Sequence, residues 1–162
     1  TLGKYQRLME EHPGVPPGEI EFYDALRYTI TIPEVEPGHH RKLAGGLFRL
    51  FEKEGHTVEL VKNYWQRGDT YSGVNAVLRN PNGLLWELQI HTPESYATKT
   101  GTHHDYERMR DPGTSLEEQQ RLFDKMTHAW DAIPIPEGML EPQALHPKEV
   151  MRLHKRPAKK AG

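Results

Sequence analysis

Apolar residues recur along this chain with two different periods. In "LGKYQRLMEEH", Leu2, Tyr5 and Leu8 fall on one helical face, and "PGVPPG" ends the pattern. "IEFYDALRYTITIP" is dense in β-branched and aromatic residues and stops at Pro33, which predicts a strand. "EPGHHRKLAGGLFRLFEKEG" puts Leu43, Leu47, Leu50 and Phe51 on one face and closes at Gly55, so a helix is expected. "HTVELVKNYW" predicts another strand, and the polar "QRGDT" a loop. "YSGVNAVLRNPNGLLWELQIHT", Tyr71 to Thr92, predicts two strands joined through "NPNG", whose Asn-Gly favours a tight turn.

Beyond His91 the period becomes helical. "PESYATKTGTHHDYERMRD" has Pro93 near its first helical position and Glu94 in its first turn. "SLEEQQRLFDKMTHAWDAI" opens on a capping-box-like Ser115 and Glu118 and carries Leu116, Leu122, Met126 and Trp130 as an apolar stripe. "PIPEG" reads as extended, and "PQALHPKEVMRLHK" predicts a short final helix. Strand–helix–strand–strand–strand followed by helices predicts an α+β fold, one mixed β-sheet of about five strands flanked by helices. The expected organisation is a principal domain over residues 1–140, then a C-terminal helix and basic tail over 141–162.

Composition narrows the classes. With 162 residues the chain is long enough for one domain, and it can bury roughly 70% of its unfolded surface without a disulfide or metal staple. The absence of cysteine rules out disulfides and thiolate zinc sites. No apolar run approaches the ~20 residues of a membrane span, and no signal-peptide pattern opens the chain. The chain starts at Thr1, which reads as a processed domain or the C-terminal piece of something longer. The net charge of −2 is unevenly spread: Lys148 to Lys160 holds six basic residues and Glu149, so that segment is +5 and the remainder −7. Such an end reads either as a contact for RNA or anionic lipid or as a solubilising terminus.

Candidate chemistry gathers around the third and fourth strands. Glu87, Gln89 and His91 alternate on one face of the last strand, which reads either as the wet side of a sheet or as the floor of a site. Asp24 stands in the first strand. If the two strands are neighbours, Asp24 and Glu87 can meet over one face, and a pair of hard oxygen ligands suits Mg²⁺ carrying nucleotide phosphates. Tyr71, followed by Ser72 and Gly73, reads either as a ring capping the sheet edge or as a stacking platform for a base. Arg67 is placed to reach a phosphate, or to do nothing as a loop residue.

Together, "Y-S-G-V-N … N-G … E-L-Q-I-H-T" resembles the RelA/SpoT-like synthetase domains, nucleotide pyrophosphokinases with a Tyr-x-Ser-x-His segment and a later Glu-x-Gln-x-Arg-Thr strand. The resemblance spans about Thr1 to Arg110 and implies their nucleotidyltransferase-like synthetase fold. It implies Mg²⁺-dependent transfer of pyrophosphate from ATP to the 3′-hydroxyl of a purine nucleotide. On that basis Tyr71 would stack on the acceptor base, with Asn75, Arg67, Gln89 and His91 around the acceptor. Glu87 would be the metal-linked carboxylate that activates the attacking hydroxyl, and Asp24 the second Mg²⁺ ligand. Lys4 and Arg27 would lie on the ATP side. "LQIHTPES", "HHDYERMRDP" and "IPIPEG" look like the variety found in polymorphic toxins, which implies action in the bacterial cytoplasm after delivery within a larger protein, and an immunity protein as a partner. Two other readings keep the cleft and change its use: a tRNA 3′ end as acceptor, with the basic tail as the RNA contact, or a non-catalytic nucleotide-binding or interaction module.

The sequence departs from the family pattern at several points. Arg27 stands where the family's Asp-x-x-Gly-x-Arg has glycine, and Thr29 where it has arginine. His91 replaces the arginine of Arg-Thr, and Asn75 the histidine. The family's Arg-x-Lys-Ser segment would end at Thr1-Leu2, which leaves its Arg and Lys upstream, so the ATP-binding segment is expected to be incomplete. Of the ten histidines, His39-His40 and His103-His104 are adjacent pairs that face different sides of a helix, and no HExxH occurs. His104 and Glu107 are positioned to border the cleft. Trp65, Trp86 and Trp130 are expected to be packing residues.

Overall fold

The computed structural model describes residues 26–153. Lys4, Asp24, the first expected helix and the end of the basic tail lie outside those residues. Strand β1 is Arg27–Thr31, helix α1 His39–Lys53, and strand β2 Thr57–Asn63. Strands β3 (Val74–Arg79) and β4 (Leu85–His91) follow, then helices α2 (Pro93–Arg110) and α3 (Leu116–Asp131), and strand β5 (Glu149–Met151). The five strands form one mixed sheet in the order β1-β4-β3-β2-β5, with β1–β4 and β2–β5 parallel and the other pairs antiparallel. The fold class is therefore α+β, as the sequence pattern implies.

Register separates two kinds of face. Trp86, Leu88 and Ile90 of β4 pair with Leu78, Ala76 and Val74 of β3, and all six are buried. Helix α1 lies on this apolar side, where the Phe51 ring meets Trp86 at 5.1 Å. A regular strand would send Val58 and Val61, three apart, to opposite faces. A register shift between Val58 and Leu60 corrects the phase, and both valines are buried. The other face carries Glu87, Gln89 and His91, and the α2–α3 pair packs over it. Asp105 and Lys125 tie these two helices at 2.7 Å, and Trp130 of α3 meets the Tyr71 ring at 5.5 Å.

The β3–β4 connection uses Asn80-Pro81-Asn82-Gly83. The Gly83 amide bonds the Asn80 carbonyl at 2.9 Å, so Pro81-Asn82 form the centre of the turn and Gly83, at φ 84°, takes the left-handed position that follows. Asn80 Oδ1 accepts from the amides of Asn82 and Leu84 and stiffens the loop.

One expectation is corrected at the C-terminal end. The segment read as a final helix holds strand β5, paired with β2 through Val61–Glu149, Lys62–Val150 and Asn63–Met151. An unpaired β2 edge would expose a row of backbone donors and acceptors, and β5 satisfies it. The join is fixed by buried polar groups. Asn63 Nδ2 donates to Met139 O and to Glu149 Oε1, both at 2.8 Å, while its Oδ1 accepts from the Trp65 amide at 2.9 Å. The buried Glu149 carboxylate also accepts from the Leu145 amide at 2.7 Å. Asn63→Ala strands these partners without water, and we expect it to cost about 3 kcal/mol in urea unfolding. A loss within experimental error of zero would show that the join does not depend on Asn63.

Candidate active site

The polar stripe of β4 is not a wet face. Strand β4 is flanked by β1 and β3 and covered on both sides, so Glu87 is 9% exposed, Gln89 4% and His91 0%. Buried polar groups cost heavily unless they find partners, and each of these does. Arg27, directly opposite Glu87 on β1, donates to Glu87 Oε2 from Nε at 2.9 Å and from Nη2 at 2.7 Å. Gln89 Nε2 donates to Glu87 Oε1 at 3.1 Å, and Lys99 of α2 donates its ammonium to Gln89 Oε1. Arg27, Glu87, Gln89 and Lys99 thus form one connected group.

A second chain starts from Tyr71. Its hydroxyl donates to Asn75 Oδ1 at 2.6 Å and lies 3.1 Å from His91 Nε2, while His91 Nδ1 is 2.9 Å from Ser95 Oγ. Both ring nitrogens of His91 are therefore bonded, Nε2 with Tyr71 and Nδ1 with Ser95. Ser95 in turn forms a capping box with Thr92: Ser95 N donates to Thr92 Oγ1 at 3.1 Å and Thr92 N to Ser95 Oγ at 3.0 Å. The start of α2 is therefore bolted to the end of β4. Burial, and then the Lys99 charge, push the His91 imidazole down to about 3, so it is neutral at pH 7. Burial, reinforced by the Glu87 charge, holds the Tyr71 phenol above its ordinary value. Gly73 makes room for the ring: it sits at φ 151°, and a Cβ there would stand 2.7 Å from His91 Cε1.

The site residues expected from sequence divide unevenly. Glu87, Gln89, His91, Asn75, Tyr71 and Arg27 are brought together. Arg67 is directed elsewhere: its guanidinium donates to the carbonyls of Asp131 and Ile133 and anchors the end of α3. Asp24 and Lys4 lie outside the described residues. Tyr71 is not an open platform, because its ring is 7% exposed and enclosed by Tyr64, His91 and Trp130 at centroid distances of 5.3, 5.4 and 5.5 Å. His104 and Glu107 line a separate surface depression of about 930 Å³ between the end of α2 and the start of α3, with Arg108, Asp111 and Glu118. None of the residues around Glu87 lines it. Trp65, Trp86 and Trp130 are buried, as expected of packing residues. Lys99 was missed by sequence reading, and so was Lys62, which pairs with Asn75 on β3 and so shares its face. Neither carries a motif, and only the register and the helix docking bring them to this face.

Among the described residues no three His, Cys, Asp or Glu side chains converge as a metal site. Mg²⁺ takes few protein carboxylates and fills its other positions with water or phosphate, so the expectation of Mg²⁺ rests on Glu87 and on Asp24, which is outside the described residues. Glu87 supplies a hard oxygen, and Asp24 lies three positions before its partner Arg27.

No family model matches the sequence, and no curated protein does. Solved structures do. The small alarmone synthetase 1 from Bacillus subtilis aligns over 80% of this chain and 68% of its own, at 19% identity and a TM-score of 0.56. A GTP pyrophosphokinase family protein from Streptococcus pneumoniae aligns over 81% and 68%, at 15% identity and a TM-score of 0.52. The fold is that of these synthetases. The type VI effector Tas1, solved with its immunity protein, aligns over 81% of this chain and 75% of its own at 22% identity and a TM-score of 0.48.

The depressed His91 gives the domain an acid limit. An unfolded imidazole takes up a proton near 6.5, the folded one near about 3. Between those values the unfolded state binds more protons, so the stability contribution is complete above about pH 6.5 and is lost as pH falls toward 3. The slope is about 1.4 kcal/mol per pH unit where the two states differ by one proton. His40, also lowered by burial, acts in the same direction. Urea midpoints should fall across this window in the wild type, and less steeply in His91→Gln. Equal slopes in the two proteins would count against a neutral buried His91.

Proposed function

We propose that the chain is a nucleotide pyrophosphokinase that moves the β,γ-pyrophosphate of ATP to the 3′-hydroxyl of a purine nucleotide. The observation that carries the reading is the Glu87 carboxylate: nearly buried on a doubly flanked strand, yet held by an arginine and an amide inside a cluster with a second cation. Similarity to the synthetases above, and the Glu-x-Gln strand that resembles theirs, supports the same assignment. In the reaction Glu87 takes the proton of the ribose 3′-hydroxyl. The 3′-oxygen attacks the β-phosphorus of ATP, the bond from the β-phosphorus to the α,β-bridging oxygen breaks, and AMP leaves with that oxygen.

Chemistry of this kind rests on positioning and charge compensation. Mg²⁺ held by Glu87 and Asp24 would supply charge neutralisation to the polyphosphate. Arg27 serves the same end from β1. In the structure its guanidinium occupies Glu87 Oε2, so the arginine must turn toward the incoming phosphates before that oxygen can accept a proton. Arg27 lies on the outer strand of the described sheet, with its side chain 44% exposed. His91, neutral and bonded on both sides, orients Tyr71 and α2 and takes no part as an acid. Product from such a site, made from the cellular nucleotide pool, would be toxic to a bacterium, in keeping with the toxin-like segments of the sequence.

Glu87→Gln keeps the shape and removes the base. In the full-length protein with ATP, Mg²⁺ and mixed purine nucleotides, we expect product on thin-layer chromatography to fall by about 10²–10⁴-fold. Wild-type turnover by this variant would sink the assignment.

A further inference from the structure

The first turn of α1 is joined to the end of β1 by a histidine. His40 is fully buried, and its Nδ1 lies 2.7 Å from the Ile32 carbonyl oxygen. A carbonyl only accepts, so this partner assigns the ring proton to Nδ1. Burial lowers the His40 imidazole below its ordinary value, so the ring is neutral and Nε2 offers a lone pair. The strand end that His40 holds also meets the polar stripe, since the Ile32 amide donates to His91 O at 2.8 Å.

Trp65 packs against the same ring. It follows the end of β2, is fully buried, and its ring centre is 5.7 Å from that of His40 at an interplanar angle of 86°. Its backbone amide donates to Asn63 Oδ1 at 2.9 Å, which fixes the chain there. Neither His40 Nε2 nor Trp65 Nε1 has a protein partner, and both atoms are cut off from solvent. One is an acceptor and the other a donor. Elsewhere in the chain such a pair bonds directly: Trp86 Nε1 donates to His56 Nδ1 at 3.2 Å. His40 and Trp65 stop short of that, and buried polar atoms left unpaired are costly.

We propose that one water molecule is bound between His40 and Trp65, accepting from Trp65 Nε1 and donating to His40 Nε2. The two atoms decide the class of ligand. A metal cation suits the imidazole lone pair but meets the indole N–H, and an anion suits the N–H but meets the lone pair. Only a small group that accepts and donates at once satisfies both, and water does so with bonding capacity left for the backbone nearby. The bridge ties the first turn of α1 to the chain leaving β2 and, through Ile32, to the end of β4. It holds whichever reaction the cleft performs.

The test is solution NMR of the isotopically labelled protein, read at the Trp65 indole proton. A water held in place gives cross-peaks of opposite sign in laboratory-frame and rotating-frame Overhauser spectra, and both are expected at Trp65 Hε1. His40→Leu removes the acceptor, and the water cross-peak should be lost with it. Absence of the cross-peak in the wild type overturns the proposal. So does a through-hydrogen coupling between Trp65 Nε1 and His40 Nε2, which would mean a direct bond of the kind that Trp86 makes to His56. A cross-peak unchanged in His40→Leu overturns it as well, because that water does not bridge. If His40→Leu fails to fold, the Nε2 resonance of His40 in the wild type takes its place. A position upfield of a bare ring nitrogen shows that Nε2 accepts a hydrogen bond, and the bare value refutes the bridge.

Discussion

Everything around the candidate site follows from burying a polar stripe on a strand that has neighbours on both edges. A carboxylate, an amide and an imidazole on β4 have little access to bulk water, so each must be satisfied by protein. The solutions are not independent. His91 needs a partner on each ring nitrogen, and Tyr71 and Ser95 supply them. Ser95 is also half of the capping box that starts α2. The stripe therefore dictates where α2 begins, and α2 in turn brings Lys99 over Gln89. Gly73 belongs to the same constraint, since any side chain there would collide with the imidazole that links sheet to helix.

The electrostatics take their sense from that packing. Neutral His91 separates the positive end of the cluster from the aromatic core formed by Tyr71, Tyr64 and Trp130. On this face Arg27 holds the Glu87 carboxylate directly, and the Lys99 ammonium reaches it through Gln89. The Arg27–Glu87 pair sits where it adds little to stability, because Arg27 is 44% exposed at its side chain and its charge is readily rehydrated. Its value is in orienting the carboxylate from a position near the surface. A deeply buried pair would be too costly to open.

Much of the fold is legible in the sequence because period and punctuation agree there. Pro33, Gly55, Asn80-Pro81-Asn82-Gly83, Thr92-Pro93 and Ser115 bound the elements where local chemistry demands it, and the apolar alternation of β4 gives its register. The last strand was not legible. Glu149-Val150-Met151 is three residues long, too short for a period to show, and its identity comes from the unpaired edge of β2. The polar stripe was legible as a stripe but not as a buried one, because burial depends on β1 and β3 flanking β4 and on the helices that pack over the sheet. For the same reason Glu87, Asn75 and His91 could be named from their neighbours in sequence, whereas Lys99 could not: its place depends on a helix docking angle. Arg67 shows the converse. A loop arginine near a site looks available in sequence, but the end of α3 offers it two carbonyls first.

Tyr71 is where fold and function bear on each other most directly. A base can stack only on an aromatic face that is open, and this ring is bounded by three others. Trp130 is buried on α3 and shared with the main core, and His91 is held at both nitrogens, so neither yields without disturbing α2 or α3. Tyr64 differs. It follows the end of β2, leads into the loop toward Arg67, and is partly exposed, with its backbone amide tied to Gly73 O at 2.9 Å. Its ring meets Tyr71 at an interplanar angle of 81°, an edge-to-face contact whose worth, about 0.5–1.5 kcal/mol beyond area, is of the order of what a stacked base returns. Of the three rings that enclose Tyr71, Tyr64 is thus the one that reaches the surface, and a base stacked on Tyr71 would have to take the place of that edge.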